Sequence, residues 1–343
     1  MARRRDGPLG KLAPVKRRIL LAAGATAGLF PFRLWAQPVS LPRIAYVSGR
    51  SLGTDGHLLQ AFRDGLKSTG HVDGQNVVIE AWWADGNFAR IPKFLGEAIA
   101  RKPRLIAAVG GNPVCTAAKA ATSTIPSPPP VVFSAGADPV ELGLVKNLSR
   151  PEGNLTGVTL GAAELGVKRL ELLREMLPKA AKVALLTNPS DPGAVKEQRT
   201  IEAASGPLGI ELMMLEAAGS GDIERAFERL PAGAVDALLV VGDSFLISRR
   251  DRIVALASLR KLPAIYPARE FADSGGLASY GTRWADMYRI VGSYAGRLLK
   301  GEKPADLPVQ RPTTFELVIN RRTAKALGLV LPAALLARAE VIS

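Results

Sequence analysis

The stretch LIAAVGGNPVCTAAKAA, Leu105 to Ala121, decides how this chain folds. Its first five residues, Leu105 to Val109, are apolar without interruption and lead into Gly110-Gly111, which predicts a strand buried on both faces. Asn112 and Pro113 then supply a helix N-cap and a proline at the first helical position. A strand–glycine–helix junction of this kind aims free helix N–H groups into the space beyond the strand's C-terminal end, where open α/β sheets take their ligands. Taken alone, the same pattern also serves as a simple tight turn.

What gives the stretch weight is that the chain makes the construction twice. RIAYVS from Arg43 matches KVALLT from Lys182 as a first strand, and NVVIEAWWADGNFARI matches IELMMLEAAGSGDIERA as a second strand running into a helix. RLIAAVGGNPVCTAAKAA then matches DALLVVGDSFLISRRDRIVALA, PPPVVFSAG matches KLPAIYPAR, and the halves close on GNLTGVT and GGLASYGT. An order of β-α-β-α-β-α-β in each half predicts an α/β protein of two doubly wound parallel-sheet lobes, with a cleft between them. The chain passes from one lobe to the other at Asn154 to Thr159, at Ser279 to Gly281 and between Leu307 and Phe315, which predicts a three-strand hinge.

A length of 343 residues suffices for two such lobes, each with its own core. The formal net charge of +14 is unevenly placed: residues 1–36 carry eight basic residues against Asp6 alone, half of the excess. The remaining excess is scattered, as on a solvated surface rather than a nucleic-acid groove, so no nucleic-acid partner is expected. The N-terminal segment has a basic region, an apolar stretch from Ile19 to Phe32, and then Leu34-Trp35-Ala36, the layout of an export signal cleaved after Ala36. Arg17-Arg18 ahead of Ile-Leu-Leu resembles a twin-arginine signal. The apolar stretch is short of the roughly 20 residues that span a bilayer, and the alternative is an uncleaved anchor. Cys115 has no second cysteine to pair with, and its place inside the helix after Asn112 predicts a small core residue.

Loops at the strands' C-terminal ends hold the candidate binding residues. In the first half these are Ser48 after the first strand, then Gly111 and Asn112, whose N–H groups are expected to dock a carboxylate. Trp82 and Trp83 follow the second strand, predicted over Asn76 to Ala81; adjacent strand residues point to opposite sides, so one of the pair, taken as Trp83, is expected to face a ligand. Asp138 either receives a cationic group or caps a helix predicted from Val140. In the second half, Asn188, Asp243 and Tyr266 occupy the positions corresponding to Ser48, Asn112 and the loop after Phe133, and Tyr280 lies on the crossing back. Asp243 is read as either a partner for a ligand's ammonium or a helix N-cap, and Tyr280 as apolar packing.

An enzyme would need a reactive constellation. His57 and His71 lie apart without catalytic partners, and neither a Gly-x-Ser-x-Gly elbow, a phosphate-binding Gly-x-x-x-x-Gly-Lys loop nor a Gly-x-Gly-x-x-Gly fingerprint occurs. No catalysis, cofactor or metal is expected. The blocks GHVDGQNVVIEAWWADG, DPVELGLVKNLSRPEGNLTGVT, ELGVKRLELLREMLP, PAIYPAREFADSGGLASYG and GRLLKGEKPADLPVQRPTTFELVINRRTAKALGL resemble, in one order from Arg43 to about Ala339, the substrate-binding proteins of ABC transporters, in the family with tryptophan- and tyrosine-binding members. Two sites depart from that pattern: Asn112 stands where relatives often carry Thr, and Trp82-Trp83 replaces a more usual Arg-Trp.

The resemblance implies a type I periplasmic-binding-protein fold enclosing one small organic ligand, an amino acid or related carboxylate, for delivery to an inner-membrane permease. It implies a monomer working in the periplasm. The lobes are expected over residues 37–156 with 282–308 and over 157–281 with 309–343. The alternative is a periplasmic sensor of the same fold coupled to a membrane receptor kinase. A lac-repressor-type effector domain would carry a helix-turn-helix where the export signal stands.

Overall fold

The computed structural model describes residues 41–343 apart from Ser220, so the export signal expected over residues 1–36 lies outside the described residues. In the first lobe, β1 (Arg43–Ser48), α1 (Leu52–Lys67), β2 (Val78–Trp83), α2 (Ile91–Ala100), β3 (Leu105–Val109), α3 (Asn112–Ser123), β4 (Val131–Ala135) and β5 (Leu155–Thr159) follow one another. Their strands form a parallel sheet of order β2-β1-β3-β4-β5. The second lobe begins with α4 (Ala162–Met176), β6 (Lys182–Thr187), α5 (Pro192–Ser205), β7 (Glu211–Glu216), α6 (Asp222–Glu228) and β8 (Ala237–Val240). It continues with α7 (Ser244–Ser248), α8 (Arg250–Leu259), β9 (Ala264–Tyr266), α9 (Arg269–Asp273) and β10 (Ala278–Thr282). The chain then returns to the first lobe as α10 (Trp284–Leu299) and crosses again into β11 (Phe315–Asn320), α11 (Arg321–Ala326), α12 (Ala333–Leu336) and β12 (Glu340–Ile342). This sheet has the order β12-β11-β10-β9-β8-β6-β7, with β11 antiparallel to β10 and every other pair parallel.

Both faces of the first sheet are covered, which is why its central strands are apolar throughout. Ile44, Tyr46, Leu105, Ala107, Val109 and Val132 pack on one side with α1 and α10. Ala45, Val47, Ile106, Ala108, Val131 and Phe133 pack on the other with α2 and α3, and buried Cys115 belongs to that layer. The return helix α10 lies against α1 so closely that side chains are excluded at the contact. A Cβ on Gly65 would stand 1.9 Å from the Arg289 carbonyl oxygen, and one on Gly292 2.0 Å from that of Phe62. Only glycine lets the two helix backbones meet at that distance.

Some elements differ from the sequence expectation. The sequence predicts a polar loop over Ser48 to Gly56 and a helix from Leu58, but α1 starts at Leu52, and Asp55 in its first turn is buried between Arg50 and Arg250. β2 runs on through both tryptophans, pairing Val47 with Trp82 and Ser48 with Trp83. Residues after Asp138 form turns rather than a helix. The segments read as the first two crossings are themselves strands, β5 of the first sheet and β10 of the second, so the chain changes lobes just after each, at 160–161 and 282–283. The third passage follows Gln310, which is still tied to the first sheet through Gly157 and Thr159. Among the described residues no helix is long and apolar enough to cross a membrane.

Candidate functional site

The loops at the C-terminal ends of the two sheets face each other and touch. Asn112 of the first lobe donates from Nδ2 to both carboxylate oxygens of Asp191 in the second, at 3.3 and 3.4 Å. Lys196 pairs with Glu141 at 2.5 Å, His57 with Glu270 at 3.4 Å, and Arg250 with Asp55 at 3.4 Å, each across the cleft. The glycines fit this closed arrangement. A Cβ on Gly111, whose φ is +139°, would meet Ser244 Oγ of the other lobe at 2.4 Å, and one on Gly86 would meet Ser248 Oγ at 2.5 Å.

Between the closed lobes lies a cavity of about 710 Å³, a size suited to one small organic ligand. Its apolar wall is built from Phe88, Pro113, Leu142 and Phe245. Its polar groups include Asn87, Asn112 and Thr116 of the first lobe and Asn188, Ser190, Asp191, Asp243 and Arg249 of the second. The N-termini of α3, α5 and α7 converge on it.

Each polar group is positioned by its own turn. Asn112 is the first residue of α3 rather than its cap, since Gly110 and Gly111 both take positive φ and extend the turn by one residue. Its Oδ1 accepts the N–H groups of Gly136 and Ala137, at 2.9 and 3.1 Å, which ties α3 to the loop after β4. Asp191 caps α5 by accepting from Ala194 N–H at 2.9 Å. Asp243 caps α7 by accepting from Leu246 N–H at 2.9 Å, yet it is only 3% exposed. Burial pushes its carboxyl up to about 7; the Leu246 N–H opposes that, and the neighbouring Asp191 carboxylate adds to it. Beneath the site, buried Glu197 accepts the N–H of Gly242 at 3.0 Å and pairs with Arg169, whose guanidinium also donates to the Tyr280 carbonyl at 3.1 Å. The backbone before Asp243 is therefore fixed to β10.

Of the residues singled out from the sequence, Asn112, Asn188 and Asp243 line the cavity together, with Gly111 at the contact beside it. The others stand elsewhere. Ser48 is buried and its Oγ accepts the N–H of Arg50 at 3.1 Å. Trp83 packs on Tyr46 with ring centroids 5.6 Å apart, and Trp82 on the opposite face donates to Glu97. Asp138 bonds Val140 N–H at 2.8 Å and lies 3.8 Å from Arg311 on the third passage. Tyr266 is 1% exposed and stacks on Phe271 at 4.7 Å, because its strand end still faces the core under α9. Tyr280 stacks on Phe315 at 6.3 Å. The sequence reading missed Asp191, Arg249 and the aromatic pair Phe88 and Phe245. Asp191 carried a signal, for Asp191-Pro192 after the sixth strand repeats the cap-and-proline pattern of Asn112-Pro113.

Two lobes of parallel sheet, joined by three passages and closed over one cavity, define the type I periplasmic-binding-protein class. The chain belongs to the family of ABC transporter substrate binding proteins, whose pattern matches residues 44–342. It is 28% identical over 271 residues to a tyrosine-binding protein of Clostridioides difficile, covering 79% of this chain and 76% of that one. Among solved structures it resembles a conserved domain protein from Vibrio cholerae O1 biovar El Tor, with a TM-score of 0.81 and 27% identity over 88% of this chain and 99% of that one. It is similar as well to an ABC domain in complex with L-Trp from Streptococcus pneumonia, with a TM-score of 0.79 and 26% identity over 88% and 100% of the two chains.

Proposed function

We propose that this protein captures an α-amino acid with a large apolar side chain, tryptophan or tyrosine in kind, outside the inner membrane and delivers it to an ABC permease. The observation that carries the reading is one cavity between the lobes that holds two carboxylates, an arginine and an aromatic wall. Asp191 and Asp243 take the ammonium, Arg249 takes the carboxylate as the cation lining the cavity, and Phe88, Phe245 and Leu142 enclose the side chain. The relatives that bind tyrosine and L-Trp support that choice of ligand. Asn112 supports the closing step, since its side chain joins the first lobe to Asp191 directly. Closure is a rotation about the passages at 160–161, 282–283 and 311–314, and the ligand favours it through contacts that only the closed form makes. The export signal expected over residues 1–36 supports a periplasmic site for this work, and on this reading the protein is a monomer that turns nothing over.

Calorimetry on residues 37–343 tests the reading. L-tryptophan or L-tyrosine should bind, whereas tryptamine and indole-3-propionate, each lacking one charged group, should bind at least about a hundredfold more weakly, as expected when a charge-assisted partner is left unpaired. Equal binding of the amino acid and both analogues would overturn the assignment, and consumption of any of them by the pure protein would overturn the absence of catalysis.

A further inference from the structure

The cavity occupies the side of the cleft near α2 and α3. On the other side, where α1 and α10 cover the first sheet, the lobes meet through a buried ionic contact whose residues, Arg50, Asp55 and Arg250, do not line the cavity. Asp55 of α1 is 1% exposed and lies between two guanidiniums. Arg50, from its own lobe, stands at 3.3 Å and stacks over the Trp284 ring at 3.6 Å, at the start of α10 just after the second passage. Arg250, at the start of α8 in the other lobe, stands at 3.4 Å, and its second guanidinium nitrogen donates to the Thr54 carbonyl at 3.0 Å. Only 7% of the Arg250 side chain is exposed.

The two arginines answer differently to opening. Arg50 and Asp55 travel together, so Asp55 keeps a partner when the lobes part. Arg250 loses both Asp55 and Thr54 and regains water. A buried guanidinium is tolerated where its charge and donors are met, and here they are met by the opposite lobe, apart from a 3.5 Å contact to its own Ile247 carbonyl.

We propose that Arg250 and Asp55 form a latch made only in the closed state, and that Arg250 sets ligand affinity through the open–closed equilibrium without touching the ligand. A contact that exists only in the closed form shifts the equilibrium by its own differential energy, and the measured affinity is scaled by the fraction of molecules able to close. Arg250 is thus a positioning residue, and its link through Arg50 to Trp284 places the latch beside a hinge passage.

The choice of ligand rests on the function proposed above; the latch itself can be read without one. Cys115 is buried with its thiol pushed up to about 12, so spin labels introduced by Gln60→Cys on α1 and Leu259→Cys on α8 will not compete with it. Electron–electron resonance distances between these labels report closure in the full mature chain. Arg250→Gln should lower the short-distance population, with or without L-tryptophan. In the same variant the dissociation rate of L-tryptophan should rise about tenfold or more while its association rate stays within about threefold. A purely structural role would lower melting and leave the distance distribution unchanged. A folded Arg250→Gln protein with the wild-type distance distribution overturns the latch whatever the ligand does. Failure of wild type to bind L-tryptophan or L-tyrosine overturns the ligand assignment and leaves the distance measurement decisive. Should Arg250→Gln fold poorly, Arg250→Lys, which keeps the charge but cannot reach Asp55 and Thr54 together, gives the same reading by a smaller shift in the same direction.

Discussion

With the ligand's ammonium docked beside Asp243, as proposed, ligand capture becomes a proton-exchange reaction. The Asp243 carboxyl is pushed up to about 7 by burial, against about 3.9 for an aspartate in an unfolded chain. For an acid with a raised folded value, the folded state holds the extra proton between those two pH values, so stability falls as pH rises from about 4 to about 7. At about 1.4 kcal/mol for each pH unit, the ionised carboxylate costs the empty protein about 4 kcal/mol. An ammonium docking beside Asp243 favours the ionised form and must displace that proton. The affinity of L-tryptophan should therefore improve close to tenfold per unit from pH 5 to pH 7 and level off above. Titration calorimetry at pH 6, in two buffers of different ionisation enthalpy, should show release of nearly one proton per ligand. Asp243→Asn keeps the cap on α7 without the charge; it should raise the melting temperature of the empty protein above pH 7 and abolish proton release. An affinity that is flat from pH 5 to pH 7, with no proton released, would refute the placement of the ammonium at Asp243.

Other substitutions probe the frame of the site. Gly292→Ala would put a methyl group 2.0 Å from the Phe62 carbonyl, and overpacking of that kind should cost about 3 kcal/mol or more, read as a lower denaturant midpoint. Gly111→Ala would meet Ser244 at 2.4 Å, so it should prevent full closure and weaken L-tryptophan by about tenfold or more, with scattering profiles that stay extended when ligand is added. Changing both Arg17 and Arg18 to Lys should hold the precursor in the cytoplasm if export uses the twin-arginine route, whereas normal periplasmic accumulation would remove that assignment.

The repeated strands, the buried run before Gly110 and the cleft between two lobes were legible because binary pattern and turn residues act locally. Which loop residue reaches the cavity was less so. Asn112, singled out as a ligand-binding residue, lines the cavity, but it is the first residue of α3 rather than its cap, since two consecutive glycines at positive φ lengthen the turn in a way that residue types alone do not reveal. Tyr266 sits on a three-residue strand buried on both faces, which has no alternation to show where a ring points. Trp82 and Trp83 were placed past a strand that in fact contains both. Phe88 enters the cavity from the first lobe and Phe245 with Arg249 from one short stretch of the second, and the two sides meet only because the lobes close.

The glycine-lined contact between α1 and α10 has a consequence for how the protein is made. α1 leaves the ribosome early, but the helix that covers its apolar face is not synthesised until the whole second lobe from α4 to β10 has emerged. During that interval Phe62 already has Tyr46 of β1 to pack on, but the face of α1 that α10 covers, at Phe62, Gly65 and Leu66, stays open. The first lobe cannot complete itself in the order of translation, and its nascent form presents a greasy helix that a holding chaperone can grip. A chain kept unfinished in this way stays threadable until α10 appears near its end.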